Sequence, residues 1–180
     1  LDREPASPDT DAVVAANRIA NRSAFIVGAS HGVGLGLAKV FAASGYIVHA
    51  TTRALSEPGE LGNVPGLRLH QLDVLERADI ESLRAKADAG TLGAISVVIH
   101  SAGVKNQNLS HCMQVNSQAP FEVADALLPA VLRSAEKKLC IITSDMGSEE
   151  IMRHQKPMRR RYPYTISKKA ANVRFRQIEP

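Results

Sequence analysis

A short apolar run, Ala24–Val27, leads straight into Gly28-Ala29-Ser30-His31-Gly32-Val33-Gly34. Apolar residues at helical spacing follow (Leu35, Leu37, Ala38, Val40, Phe41), and Gly45 stops them. Such a run reads as a buried strand, then a tight turn, then a helix over Leu35–Ala43. Three glycines at a strand-to-helix turn permit positive φ. They also let an anionic group approach backbone N–H donors at the positive end of the helix dipole. A glycine-rich connection that holds no ligand is the plainer reading of the same spacing.

The alternation continues along the chain. Tyr46–Ala50, Leu67–Leu72, Ile95–Ile99 and Lys138–Thr143 read as four more strands. Ile80–Ala89, Gln114–Ser134 (with Pro120 near its start) and Tyr164–Arg176 read as helices. Strand–helix alternation with β-branched runs predicts an α/β fold with a parallel sheet. Right-handed crossovers make it a Rossmann-type doubly wound layer in a single domain. Residues 1–23 are expected to be an N-terminal extension with a short helix around Ala12–Ala20, and residues 24–180 the nucleotide-binding domain.

Composition supports a packed core, with 44% hydrophobic residues drawn from aliphatics and alanine and no Trp. No apolar run reaches the 18 or more residues of a membrane helix, so a cytoplasmic protein without membrane contact is expected. Cys112 and Cys140 are too few for a disulfide framework and read as buried free thiols. The formal charge of +4 is a local effect. Residues 1–150 carry 13 basic against 17 acidic side chains, whereas 151–180 carry 9 against 1. A broad basic face for nucleic acid is not what those numbers describe.

The turn has the spacing G-x-x-x-G-x-G and resembles the short-chain dehydrogenase/reductase family, whose pattern is T-G-x-x-x-G-[IV]-G. Val27 stands at the family's Thr. The resemblance assigns Gly28, Ser30, His31, Gly32, Val33 and Gly34 to the cofactor. At the end of the second strand, Thr51-Thr52-Arg53 offers no carboxylate until Glu57. A carboxylate there favours NAD, whereas a guanidinium pairs bidentately with a 2′-phosphate, so Arg53 favours NADP over NAD. Arg53 as a solvated loop charge is the alternative. Asp73-Val74 falls where the family contacts adenine. His100-Ser101-Ala102-Gly103 replaces the family's Asn-Asn-Ala-Gly, keeping the close backbone approach at Ala102 and Gly103.

Tyr164-Thr165-Ile166-Ser167-Lys168 matches the family's Tyr-x-x-x-Lys, with the ammonium one helical turn from the phenol. A tyrosine needs its pKa lowered by about 3 units to exchange protons at pH 7, roughly 4 kcal/mol. A neighbouring cation supplies part of that. By resemblance, Tyr164 is the general acid/base, Lys168 holds the nicotinamide ribose and tunes Tyr164, Ser144 polarises the carbonyl, and Asn116 completes a proton relay. Thr143 is the competing neighbour of Ser144. The implied reaction is hydride transfer between nicotinamide and a small carbonyl or alcohol substrate. Met146-Gly147-Ser148 and Tyr162-x-Tyr164 resemble the C-factor/sniffer-like carbonyl reductase branch, and the family implies a homo-oligomer.

Three features depart from a complete family member. The chain ends at Pro180 without a sixth strand; Gly103 to Asn116 is short; and Ile151–Arg161 (IMRHQKPMRRR) is a basic insertion. These suggest residues absent at the end and excised within 104–115 or 145–163. The insertion reads as a solvated loop, or as an attractor of anions. His31, His70, His111 and His154 show no metal-ligand spacing, and His49 reads as a satisfied interior residue. A non-catalytic dinucleotide sensor or scaffold is the second function class, and a nucleic-acid binder using 153–176 the third.

Overall fold

The computed structural model describes residues 22–154 and 162–176. The expected helix at Ala12–Ala20 and most of the basic insertion lie outside them. Five strands, β1 (Ser23–Val27), β2 (Ile47–Thr52), β3 (Arg68–Gln71), β4 (Val97–His100) and β5 (Lys138–Ile141), form one parallel sheet in the order β3-β2-β1-β4-β5. Around it run α1 (Gly32–Ala43), α2 (Arg77–Asp88), α3 (Leu109–Met113), α4 (Ala119–Leu132), α5 (Glu149–Arg153) and α6 (Tyr162–Arg176). The expected Rossmann-type layer is therefore present. Strand order reverses between β1 and β4, which opens a crevice at the carboxyl ends of those strands.

β1 is buried along its whole length because both faces are covered, and its residues divide by parity. Phe25 and Val27 point into a core with Val98, Leu83, Ala87, Val123 and Leu127, on the α2–α4 side. Ile26 packs oppositely with Leu35, Ala38, Val48, Ala50 and Leu61, on the α1 side. Leu61 is fully buried from a short 3-10 turn, Gly59–Asn63.

Several expectations shift. α1 begins at Gly32 rather than Leu35, since the helix starts inside the glycine turn itself. β4 begins at Val97 because Ile95 N–H donates to Ala130 O instead of joining the ladder. β5 stops at Ile141, short of Thr143. The long helix expected over Gln114–Ser134 starts at Leu109 and passes through a wide π-helical turn, Gln114–Gln118, before α4.

Cys112 is buried as expected, but Cys140 is exposed. It lies on the outer strand β5, in register with Ile99. Residues 104–115 form a continuous connection closed by its own hydrogen bonds, Asn108 N–H to Asn106 Oδ1 (2.9 Å) and His111 N–H to Asn108 Oδ1 (3.1 Å). The insertion's first residues are helical rather than loop, with Arg153 and His154 facing Glu149 and Glu150 one turn back.

His49 is interior, 1% exposed, and stacks with Phe25 and His70. Its Nδ1 lies 2.9 Å from His70 Nε2, but its own Nε2 has no partner, so it is not fully satisfied. Burial, then the neighbouring His70 and Arg68, lowers His49 to about 4, and burial, then Lys86 and Arg68, lowers His70 to about 4.

Candidate active site

The parallel sheet delivers every candidate loop to one edge. The glycine turn follows β1, Arg53 follows β2, Asp73-Val74 follows β3, Ala102-Gly103 follows β4 and Ser144 follows β5. Gly28 has φ +76° and a Cβ there would come within 2.7 Å of the Ala102 backbone, so the β1 and β4 loops touch where only glycine fits. A Cβ at Gly34 would run into Gly28 O.

A residue that sequence reasoning missed anchors this turn. Buried Thr51 accepts Gly28 N–H on Oγ1 (2.9 Å) and Ala29 N–H on its carbonyl (3.0 Å). Its only sequence signal is a hydroxyl at a strand end. Ser30 Oγ and His31 Nδ1 lie 3.0 Å apart beside it. Val33, on the first turn of α1, is exposed. Arg53 is exposed and makes no ion pair among the described residues. Asp73 Oδ1 accepts Leu75 N–H (3.0 Å), while Val74 points into the core and offers a ligand only its backbone.

Asn116 and α6 meet behind the β4 loop. Asn116 sits in the π-helical turn, 1% exposed, and its amide closes on Val104 from both sides. Oδ1 accepts Val104 N–H (2.8 Å), and Nδ2 donates to Val104 O (2.8 Å) and to Ser167 Oγ (2.9 Å). Ser167, fully buried, donates in turn to Tyr164 O (2.8 Å). The side chain is thus spent on Val104 and Ser167.

Lys168 is 5% exposed and donates to Ile142 O at 2.9 Å. Its Nζ lies 5.8 Å from the centre of the Tyr164 ring. Burial lowers its pKa, because a desolvated ammonium gives up its proton more easily. A Cβ on Gly103 would sit 3.2 Å from Asn116 Oδ1 and 3.6 Å from Lys168 Nζ, so three expected residues converge there. His100, 2% exposed, has both ring nitrogens unpartnered; burial and then the Lys168 ammonium push it down to about 3.

Ser144 points elsewhere. Its Oγ donates to Asp145 Oδ1 (2.8 Å) and accepts Met146 N–H (3.2 Å), and no hydrogen bond joins it to Tyr164 among the described residues. Thr143 Oγ1 donates to Asn172 Oδ1 (2.6 Å), and Asn172 Nδ2 donates to Gly147 O (3.2 Å). Asn172, like Asp145, was missed, although its spacing of one further turn from Tyr164 and Lys168 was readable. Among the described residues no group of three or more His, Cys, Asp or Glu side chains could hold a metal. No helix among them is long and apolar enough to cross a membrane.

Relatives and solved structures agree with this architecture. The chain is 29% identical over 139 residues to the short-chain dehydrogenase cctT of Talaromyces islandicus, covering 70% of this chain and 48% of that protein. It is 29% identical over 141 residues to the 3-oxoacyl-[acyl-carrier-protein] reductase FabG of Escherichia coli, covering 69% and 55%. The chain thus spans about half the length of these curated relatives. A short chain dehydrogenase of Shigella flexneri complexed with NADP superposes with a TM-score of 0.72 at 24% identity, over 86% of this chain and 69% of that one. At that identity the likeness establishes the fold. The family model for short chain dehydrogenases matches residues 22–178, nearly all of the described structure, and by that match the chain belongs to the short-chain dehydrogenase family.

Proposed function

We propose that this chain is the nucleotide-binding and catalytic part of an NADP(H)-dependent oxidoreductase acting on a small carbonyl or alcohol, of carbonyl reductase type. The observation that carries the reading is Lys168: a buried ammonium, with a lowered pKa, 5.8 Å from the Tyr164 ring and converging with Gly103 and Asn116. A cation desolvated beside a phenol favours the phenolate, which is the state that takes a proton from an alcohol.

The glycine turn and Thr51 would seat the pyrophosphate, with Arg53 and His31 toward the 2′-phosphate and Asp73 toward the adenine. Bound nicotinamide supplies or accepts the hydride. Tyr164 gives a proton to the carbonyl oxygen in reduction and takes it back in oxidation. Lys168 has two further N–H donors besides the one on Ile142 O, enough to hold ribose hydroxyls. Asn116 would act through its position in the π-helical turn, since its amide is already committed to Val104 and Ser167. A homo-oligomer is part of the same reading.

The test is NADPH oxidation over a panel of aldehydes and ketones, with Tyr164→Phe as control. Turnover that falls by about 100-fold or more in the variant is expected for a lost general acid. Unchanged turnover in Tyr164→Phe refutes the assigned role.

A further inference from the structure

Ser144 and Tyr164 stand on different elements, and no hydrogen bond joins them among the described residues. Ser144 caps the short 3-10 turn Asp145–Gly147 that follows β5, whereas Tyr164 rides on α6. Whatever sets the distance between the two hydroxyls must therefore join that turn to that helix. Asn172 does so, from one helical turn beyond Lys168 on the same face of α6.

Its amide grips the chain on both sides of the serine. Gly147 O can only accept, so the NH₂ group must face it, and Nδ2 donates there at 3.2 Å. That leaves Oδ1 for a donor, and Thr143 Oγ1 donates to it at 2.6 Å. Between these two anchors lie only Ser144, Asp145 and Met146. The arc is closed on itself by Gly147 N–H to Ser144 O and Ser148 N–H to Asp145 O, both at 2.9 Å. Lys168 Nζ adds a tie just upstream, at Ile142 O (2.9 Å). Packing agrees, since Met146 and Ala171 are buried. A Cβ on Gly147 would come within 2.7 Å of Asn172 Nδ2 and 3.1 Å of the Lys168 backbone, so turn and helix are pressed together where only glycine fits.

We infer that Asn172 is a positioning residue for the reaction, fixing the turn that carries Ser144 against the helix that carries Tyr164. The inference rests on the reading of Ser144 and Tyr164 as the pair that meets the substrate oxygen. Asn172 acts through Ser144, because its Oδ1 and Nδ2 are engaged by Thr143 and Gly147. Removing the amide frees the arc to shift along α6, and a misplacement of about 1 Å near a reacting centre costs up to about 100-fold in rate. Thr143 is exposed, so Thr143→Val breaks one of the two ties at little cost to folding.

The experiment follows NADPH-dependent reduction of para-nitrobenzaldehyde in single turnovers with enzyme in excess, which keeps slow variants measurable. Asn172→Ala is expected to lower the rate at saturating aldehyde by about 10- to 100-fold, with NADPH affinity held within about 2-fold. Thr143→Val is expected to lower it by about 3- to 10-fold. In a Ser144→Ala background each substitution should change the rate by less than about 2-fold, since an absent hydroxyl cannot be misplaced. A merely structural role would lower the rate equally in both backgrounds. A loss under about 3-fold in Asn172→Ala, or equal losses with and without Ser144, overturns the inference. If Asn172→Ala does not fold, Thr143→Val decides by the same two comparisons. Absence of NADPH binding in the wild type defeats the proposed function, whereas turnover that depends on Tyr164 but not on Asn172 defeats this inference alone.

Discussion

Replacing Asn116 with Ala removes the clamp that joins the β4 loop to α6. Its amide makes three hydrogen bonds, to Val104 N–H, Val104 O and Ser167 Oγ, at 2.8, 2.8 and 2.9 Å. Asn116 is 1% exposed, so water does not replace the amide without a cavity forming around it. Truncation strands the backbone N–H and C=O of Val104, and an unsatisfied buried group costs about 1–3 kcal/mol. Ser167 keeps its bond to Tyr164 O and loses less. A total near 3–4 kcal/mol follows, since one of the two Val104 groups is able to relax toward solvent. At about 2–4 °C per kcal/mol for a chain of this size, the melting temperature falls by roughly 10 °C. Urea unfolding followed by far-UV circular dichroism reads the free energy, and a parallel thermal scan reads the midpoint. Asn116→Asp should be worse than its shape suggests, because a carboxylate oxygen then faces Val104 O where an NH₂ stood. A loss below about 1 kcal/mol in Asn116→Ala refutes the clamp.

Two other perturbations test separate parts of the structure. His49 titrates near 4 when folded against 6.5 for a free histidine, so the unfolded chain binds more protons in that interval and stability is lost as pH falls below about 6.5. Between pH 7 and 5 this amounts to about 2 kcal/mol for His49, read by urea midpoints at the two pH values, and His49→Phe should remove that share while leaving the part that His70 and His100 carry. Thr51→Val keeps the shape of the side chain while removing the acceptor of Gly28 N–H. It should cost about 1 kcal/mol of stability and weaken nucleotide binding several-fold, with Thr51→Ser restoring both.

Legibility in the sequence followed the range of the physics involved. The strands and longer helices announce themselves through local apolar spacing, as Ala24–Val27 and Leu35–Phe41 do, and the glycine turn through its own backbone demands. Where a neighbour in space decides, the sequence is mute. Ile95 looks like strand but donates to Ala130 O, and Leu109–Met113 looks like loop but is helix. Cys140 looks like core but sits on the outer strand β5. The motif residues Tyr164 and Lys168 were readable from their spacing, and the topology brings Lys168 to the β4 loop, where a Cβ on Gly103 would lie 3.6 Å from its Nζ. The contacts that hold the surrounding loops, made by Thr51, Asp145 and Asn172, were not, because their hydrogen-bond partners are fixed by tertiary packing or by a turn's geometry.

The proposed function requires a nucleotide seated at the glycine turn with Arg53 facing its 2′-phosphate. A fluorescence titration of the chain with NADPH and with NADH tests this most directly. Saturable binding of both is expected, with NADPH about tenfold tighter, the value of one charge-assisted pair at Arg53. The preference should disappear in Arg53→Ala. Binding of neither nucleotide contradicts the account at its base, and tighter binding of NADH contradicts the assignment of Arg53.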